Sequence, residues 1–438
     1  MKLFFKVSHE VCKGRKENES VNNKDDEENR NNFFHFQNYS IIFGKMKRIF
    51  VEEKHKFLKI AILENGILED IIIEEEGKEF KTGNIYKAKV EKILDSINAC
   101  FLTCKGERFF MQLKERDEVK KGDILLIEVI KEKGEEKAPV VTTNISIPGR
   151  YLVYMPLSKR GGISRKITDR NERIRLREII SSIHNKEGTF IIRTEAKGKG
   201  KNELKREMKY LYKIWNEIRK EEKRKGMGLI YALNNPFLIL AREKLDETVI
   251  EIKCNNKDIY KKILYYVKLM CPYLKKKVKL EKEKNLFKKY GLDEEIRKIS
   301  SKIVSLPLGS YIVIEKTEAL TSIDVNSGSV IEGDRKEVIL KINKEAAKEI
   351  MRQIRLRNIG GIIIIDFIEM KDKKEKEEIY RILKEESEKD KAKIEILPVT
   401  KLGLVEMTRQ YIGKDILRII STKCPYCNGN GFILKKGI

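Results

Sequence analysis

The sequence predicts an α/β protein of several domains, on three observations. Short β runs punctuated by glycine fill residues 81–144, amphipathic helical segments alternate with apolar strand runs beyond Leu306, and the length is ample for several cores. At 438 residues and 41% hydrophobic content, the chain has room for two to four domains.

Charge narrows the partners. There are 93 Lys and Arg against 68 Asp and Glu, a net charge of +25 and a pI near 9.5. Such an excess points to a polyanion, nucleic acid first and an anionic membrane surface second. A composition rich in Lys, Ile and Asn is the competing explanation. No apolar run approaches the ~18–20 residues of a membrane span. Met1-Lys2-Leu3-Phe4-Phe5 turns polar by Ser8, too short for a secretory core. A soluble, cytoplasmic protein is expected. Seven cysteines, an odd number, do not resemble a disulfide framework.

Residues 1–45 contain a run of Asn, Asp, Glu and Lys from Glu17 to Asn32 and are expected to be a disordered extension. Folding is expected from Met46, itself a candidate start, with Ile49 and Val51, then Leu58, Ile60 and Ile62, read as strands. Within 81–144, Tyr86–Val90, Ala99–Leu102 and Gly122–Val129 are strand runs separated by Gly83, Gly106 and Gly122. About five short strands in this space suit an OB-type barrel. Phe101, Phe109 and Phe110 either stack on bases or fill its core.

Residues 145–238 hold a basic turn, Gly161-Gly162-Ile163-Ser164-Arg165-Lys166, a helix over 169–185, a strand over 189–194 and a charged helix over 201–225. In that helix Leu204, Met208, Leu211, Ile214 and Ile218 recur at helical spacing. Arg193-Thr194, followed by Lys197, Lys199 and Lys201, suits a terminal phosphate; a solvated basic loop is the alternative. Residues 239–300 read as helical and Lys-rich, without nameable chemistry. Beyond them, Tyr311–Glu315 and Thr321–Val325 are neighbouring strands. A helix over 337–357 presents Ile339, Ile342, Ala346, Ile350 and Ile354 on one face, and Gly360-Gly361 stops it. The strand Ile362–Ile368 follows. A right-handed crossover would lay it parallel to the strand carrying Asp324. There are no internal repeats.

Two constellations carry chemistry. Alternate strand residues share a face, so Asp324 and Asn326 point the same way, and Asp366 reaches the same point if its strand lies alongside. Two carboxylates and an amide oxygen suit Mg²⁺, which could polarise a phosphoryl oxygen and lower the pKa of a bound water. Asn326 could instead orient Asp324 or the phosphate, and two loop-capping aspartates are the plain alternative. The second is Cys424-Pro425-Tyr426-Cys427 with Asn428-Gly429-Asn430-Gly431 behind it. This is half of a zinc knuckle, and the same pair from a second chain would complete it on a two-fold axis. A redox dithiol is the rival. Cys12, Cys100, Cys104, Cys254 and Cys271 form no second knuckle; Cys100 and Cys104 are expected in the core.

These segments resemble the ribonuclease E/G family. The matching runs are Thr317–Ser327 around Asp324, Gly360–Met370 around Asp366, Gly403–Gln410, and Cys424–Gly431. They stand in order with Gly161–Arg165 and Ile192–Thr194, over a match that begins near Met46. The resemblance implies a Mg²⁺-dependent endoribonuclease, closer to the short ribonuclease G type, that cuts single-stranded, A/U-rich RNA to leave 3′-hydroxyl and 5′-phosphate ends. It implies Asp324 and Asp366 as magnesium ligands, with Asn326 as a supporting catalytic residue. It implies a 5′-monophosphate sensor of Gly149, Val153, Arg165, Arg193 and Thr194, RNA contacts by Phe101, Phe110 and Lys137, and Zn²⁺ shared between two protomers by Cys424 and Cys427.

The implied architecture is a ribonuclease-H-like element (46–80 and 239–300) interrupted by an OB-fold (81–144) and a sensor region (145–238). A DNase-I-like α/β catalytic domain (301–420) and a zinc link (421–438) follow. Three departures qualify it. The chain ends soon after the Cys pair, without the family's small association domain, so a homodimer rather than a tetramer is expected. No long scaffold for partner enzymes follows. Residues 1–45 lack a counterpart. The rivals from other classes are a non-catalytic RNA-binding protein with an OB-fold and zinc knuckle, and a nuclease acting on DNA.

Overall fold

The computed structural model describes residues 45–77, 80–114, 118–132, 138–328, 335–400, 402–422 and 424–427. The expected disordered extension lies outside the described residues except for Lys45. Strands β1 (Lys47–Lys54), β2 (Phe57–Glu64) and β3 (Ile67–Glu75) form an antiparallel meander. Its β2–β3 turn is Asn65-Gly66, with φ of 51° and 86°. Positive φ at both positions is what a two-residue turn needs to match strand twist, and Asn-Gly supplies it cheaply.

The chain then leaves this sheet. Strands β4 (Ile85–Leu94), β5 (Ala99–Cys104), β6 (Glu107–Gln112), β7 (Ile124–Lys131) and β8 (Val140–Thr142) pair in the order β4-β5-β6-β8-β7, and β7 closes on β4. This is a closed, OB-like barrel. Its core includes Val90, Leu102, Met111 and Val129 together with Cys100 and Cys104, as expected for those cysteines.

Next come β9 (Ile147–Pro148), β10 (Leu152–Met155), β11 (Gly162–Ile163), α1 (Arg170–Ile183), β12 (Thr189–Ile192) and α2 (Lys201–Arg224). The strands order as β11-β12-β10-β9. Asp169 caps α1 by accepting from the backbone N–H groups of Asn171 and Glu172. The five apolar residues predicted for α2 are all buried against this sheet.

Strand β13 (Gly228–Tyr231) adds to the barrel beside β4, and α3 (Pro236–Glu243) follows. Then β14 (Val249–Cys254), α4 (Lys257–Met270) and β15 (Val278–Leu280) return to the first sheet, giving it the order β15-β14-β1-β2-β3. Residues 239–300, read as helical, therefore contain two strands. Both are short and charged, and β14 is paired by β1, some two hundred residues earlier; partners at that distance override local pattern. The barrel and the β11-β12-β10-β9 unit are one insertion between the third and fourth strands of a single sheet.

After α5 (Leu286–Lys289) and α6 (Leu292–Ser300) the last unit begins. It holds β16 (Ile303–Ser305), β17 (Tyr311–Lys316), β18 (Leu320–Asn326), α7 (Arg335–Arg357), β19 (Gly361–Asp366), α8 (Lys373–Ser387), β20 (Ile394–Ile396), β21 (Leu404–Arg409) and α9 (Ile416–Ile420). The sheet order is β16-β17-β18-β19-β21-β20, with β18 and β19 parallel across the α7 crossover, as the sequence predicted. Ile323, Val325, Ile363 and Ile365 pack against Ile342, Ala346, Ile350 and Ile354 of α7. No described helix is long and apolar enough to cross a membrane.

Glu128 of β7 is 7% exposed and ties the barrel to the next unit, accepting from Ser146 N (2.7 Å) and Oγ (2.9 Å). Burial pushes its carboxyl up to about 7, against the Ser146 bonds, which favour the charged form. The folded chain keeps this proton up to about pH 7, whereas the unfolded chain releases it near 4.5. Stability therefore falls as pH rises across that window, by up to about 3 kcal/mol. Glu128→Gln should remove that part of the slope, read as thermal midpoints between about pH 5 and 8; an unchanged slope refutes the assignment.

Candidate functional site

Strand alternation sends Ile323, Val325, Ile363 and Ile365 into the core and turns Asp324 and Asp366 to the opposite, solvated face. In the parallel register Asp324 stands directly beside Asp366. Neighbouring strands lie about 4.8 Å apart, so the two carboxylates share one patch of surface. Asn326 is next on this face, and its Nδ2 donates to Asp324 Oδ2 at 2.8 Å. Of the roles left open for Asn326, orientation of Asp324 is the one this contact serves.

Neither aspartate has an ion-pairing partner among the described residues, although the chain carries +25. Two adjacent uncompensated carboxylates repel each other and favour a cation between them. No group of three or more His, Cys, Asp or Glu side chains forms a metal cluster among the described residues. Two carboxylates nevertheless fit Mg²⁺, which commonly takes one or two and keeps several waters.

Two buried polar residues that sequence reasoning missed fix this strand. Asn343 of α7, fully buried, donates to Ile368 O (2.8 Å) and accepts from Ile368 N (3.2 Å), pinning the chain two residues beyond Asp366. At the other end, Arg409 pairs with Asp390 at 2.9 Å and donates to Ile359 O at 2.8 Å, both out of water. A polar residue within an apolar helix face was the only available signal for Asn343. Arg409, inside a matched motif, proves to be a staple in the core.

The expected phosphate-sensing residues gather at one end of the β11-β12-β10-β9 sheet. Arg193 leaves β12 and donates from Nη1 to Gly149 O at 2.7 Å. Thr194 Oγ1 lies 2.9 Å from Ser164 Oγ, beside exposed Arg165. Val153 pairs with Pro148 on one side and Ile191 on the other. Beneath them Glu207 of α2, missed in the sequence because it lies among the charges of α2, accepts from the backbone N–H groups of Arg150 (2.5 Å), Tyr151 (2.8 Å) and Leu152 (2.9 Å). Gly149 is required here, because a Cβ would lie 2.8 Å from the Glu207 carboxyl carbon.

On the barrel, Phe101 and Phe110 are half-buried cross-strand partners with ring centroids 5.8 Å apart, and Arg108 lies over Phe101. Phe109 is fully buried and fills the core, so the base-stacking option applies only to the other two. Lys137 lies outside the described residues. Cys424 is exposed and Cys427 half-buried, while the glycines behind them lie outside the described residues. Among the cysteines, Cys254 and Cys271 are buried in the core.

Glu207→Ala leaves three backbone donors of the 149–152 turn without an acceptor, and each unmade bond costs about 1–3 kcal/mol. Urea unfolding should show a loss on the order of 3 kcal/mol after water partly compensates. A change below about 0.5 kcal/mol would mean that the turn holds without Glu207.

A model of the ribonuclease E/G family matches residues 146–412. Ribonuclease G of Escherichia coli K12 is 31% identical over 403 residues, covering 86% of this chain and 82% of its own. Ribonuclease G of Haemophilus influenzae is 31% identical over 399 residues, covering 85% and 81%. Ribonuclease E of Haemophilus influenzae is 35% identical over 411 residues, covering 88% of this chain and 44% of its own. With the paired aspartates and the barrel in place, the match establishes that the chain belongs to the ribonuclease E/G family.

Proposed function

We propose that this protein is a Mg²⁺-dependent endoribonuclease of RNA processing and decay that cuts single-stranded, A/U-rich RNA and favours 5′-monophosphorylated ends. The observation that carries the reading is the in-register placement of Asp324 beside Asp366, with Asn326 bonded to Asp324. Family membership supports the ribonuclease activity. The first sheet, split by an insertion, is read as ribonuclease-H-like, and the last α/β unit as DNase-I-like. A cytoplasmic location suits an RNA-processing role.

Asp324 and Asp366 would hold the magnesium, which supplies phosphoryl polarisation and a more acidic bound water. Asn326 keeps Asp324 in one rotamer and leaves its own amide oxygen to face the substrate. Phe101 and Phe110 offer ring faces to unstacked bases, and Lys137 adds a positive charge. Arg193 and Thr194, with Arg165 alongside, supply guanidinium and hydroxyl donors suited to a terminal phosphate. The 149–152 turn beneath them is braced by Glu207, so these donors stand on a fixed support.

Asp324→Asn and Asp366→Asn should each lower cleavage of an A/U-rich RNA at least about a hundredfold, with RNA affinity within about threefold of the parent. Mg²⁺ removal should do the same. Equal loss of binding and cleavage would sink the assignment. Arg193→Ala should abolish any advantage of 5′-monophosphate over 5′-hydroxyl RNA while leaving the 5′-hydroxyl rate unchanged.

Cys424 and Cys427 would supply two thiolates of a four-ligand zinc site, the other two coming from a second copy. The expected zinc content is one ion per two chains. Cys424→Ser should remove the zinc and yield monomers by light scattering. A zinc-free dimer in the parent protein contradicts the shared site.

A further inference from the structure

We propose that the groove between α2 and α4 is a second RNA track, remote from the acid pair, that holds the backbone of long substrates. The inference rests on the ribonuclease reading for its ligand but on separate residues for its geometry. Lys205, Lys209 and Lys213 recur at i, i+4 and i+8 on α2, all exposed, over about 12 Å of helix. Like charges at this spacing destabilise a helix. Two nearby acids of α2 are engaged elsewhere. Glu203 accepts from Gly200 N, and Glu207 is buried beneath the 149–152 turn. Among the described residues Lys205, Arg206 and Lys209 have no ion pair, and Lys213 reaches Glu217 only at 3.9 Å.

The facing wall is α4. Lys268 and Tyr265 are exposed there, Tyr265 by 57%, and Lys261 pairs only with exposed Asp258 at 3.6 Å. Two open depressions of about 400 and 390 Å³ adjoin at Leu269, one walled by the α2 lysines and Tyr210, the other by Leu264, Tyr265 and Lys268. An aromatic and apolar floor between rows of cations is the pattern that binds single-stranded nucleic acid, with phosphates on the rims and bases on the rings. The ribonuclease reading favours a nucleic-acid strand over a membrane surface as the occupant. One end of the groove adjoins the sensor: Arg150 of the 149–152 turn reaches Cys271, which ends α4, at 2.9 Å. Lys199, just before α2, lies over the Tyr151 ring. A local arrangement of uncompensated charge that weakens its own helix is the kind of inconsistency that marks a binding surface.

The test reverses the stripe with Lys205→Glu, Lys209→Glu and Lys213→Glu together, all at exposed positions, with thermal midpoints as the check on folding. The substrates are an A/U-rich decamer and an unstructured RNA of about a hundred nucleotides, each with 5′-hydroxyl ends. For the long RNA, KM should rise about tenfold with kcat unchanged. The slope of log affinity against log salt should shrink by about 2, at roughly 0.7 for each phosphate of a single strand that the lysines no longer neutralise. Decamer cleavage should not change. Equal losses on both substrates, or an unchanged slope for the long RNA, overturn the proposal. Should the parent protein cut neither RNA, the ribonuclease reading fails, and the binding slopes alone then decide the groove. Loss of binding to phosphatidylglycerol vesicles with RNA binding intact would assign the groove to a membrane surface and overturn the RNA track.

Discussion

Helix α7 is the element on which the arrangement of this chain depends. It is the crossover between β18 and β19, and a right-handed crossover is what makes those strands parallel neighbours. One of its faces buries Ile342, Ala346, Ile350 and Ile354 against the last sheet. Its far end puts Leu356 into the cluster formed by Phe50, Ala61 and Ile71 of the first sheet. Arg352 donates to Leu68 O at 2.5 Å and Arg355 pairs with Glu69 at 2.9 Å, both on β3. The helix thus sets strand register on one side and domain placement on the other. A slip of one residue in β19 would turn Asp366 into the core and Ile365 to water, so burial of the isoleucines is also what holds the carboxylates outside.

The inserted units are held by polar clamps rather than by a shared apolar core alone. Glu128 joins the barrel to the next unit through Ser146, and Glu207 joins α2 to the 149–152 turn. Near the end of the insertion, Lys244 pairs with Asp70 of β3, and Glu243 pairs with Lys391 ahead of β20. Burial, with Lys391 and Lys47 nearby, lowers the Lys244 pKa well below the ordinary lysine range, while the neighbouring cations Lys391 and Arg242 hold Glu243 down at about 2 despite its burial. These contacts give the insertion a fixed attitude to the last sheet, the one that carries Asp324 and Asp366.

Sequence pattern revealed most where periodicity and partner were close in the chain. The α2 stripe, the α7 stripe and the β18–α7–β19 crossover could be read because each apolar residue lies three or four, or two, positions from the next. The OB-like barrel could be read from its glycine-punctuated runs, but not which phenylalanine faced inward. Phe109 and Phe110 are adjacent, and only the pairing of Phe101 with Phe110 separates them. Strand β14 is hidden because its partner β1 lies far upstream and Glu and Lys interrupt its apolar run, and β15, three residues around a lysine, pairs in turn with β14. The acid pair was legible as types and spacing; its surroundings were not. Asn343, Arg409 and Glu207 act through burial and backbone groups contributed by distant segments, which no local pattern encodes.

The charge distribution has a mechanistic consequence. A body of +25 attracts a polyanion from any direction, yet two adjacent carboxylates repel the phosphates they would act on. In the proposed reading, substrate attraction and bond cleavage would therefore fall to different residues, with a cation at the acid pair between them. Placing Asp324 and Asp366 on the solvated face spares their side chains a desolvation cost and leaves their outer side open to water and phosphate. Placing Asn326 against Asp324 restricts one rotamer without adding charge. A third carboxylate would bind a cation more tightly but would add to the repulsion of the incoming strand. In the proposed reading, a pair with one neutral neighbour would let its cation exchange while the basic surfaces hold the RNA.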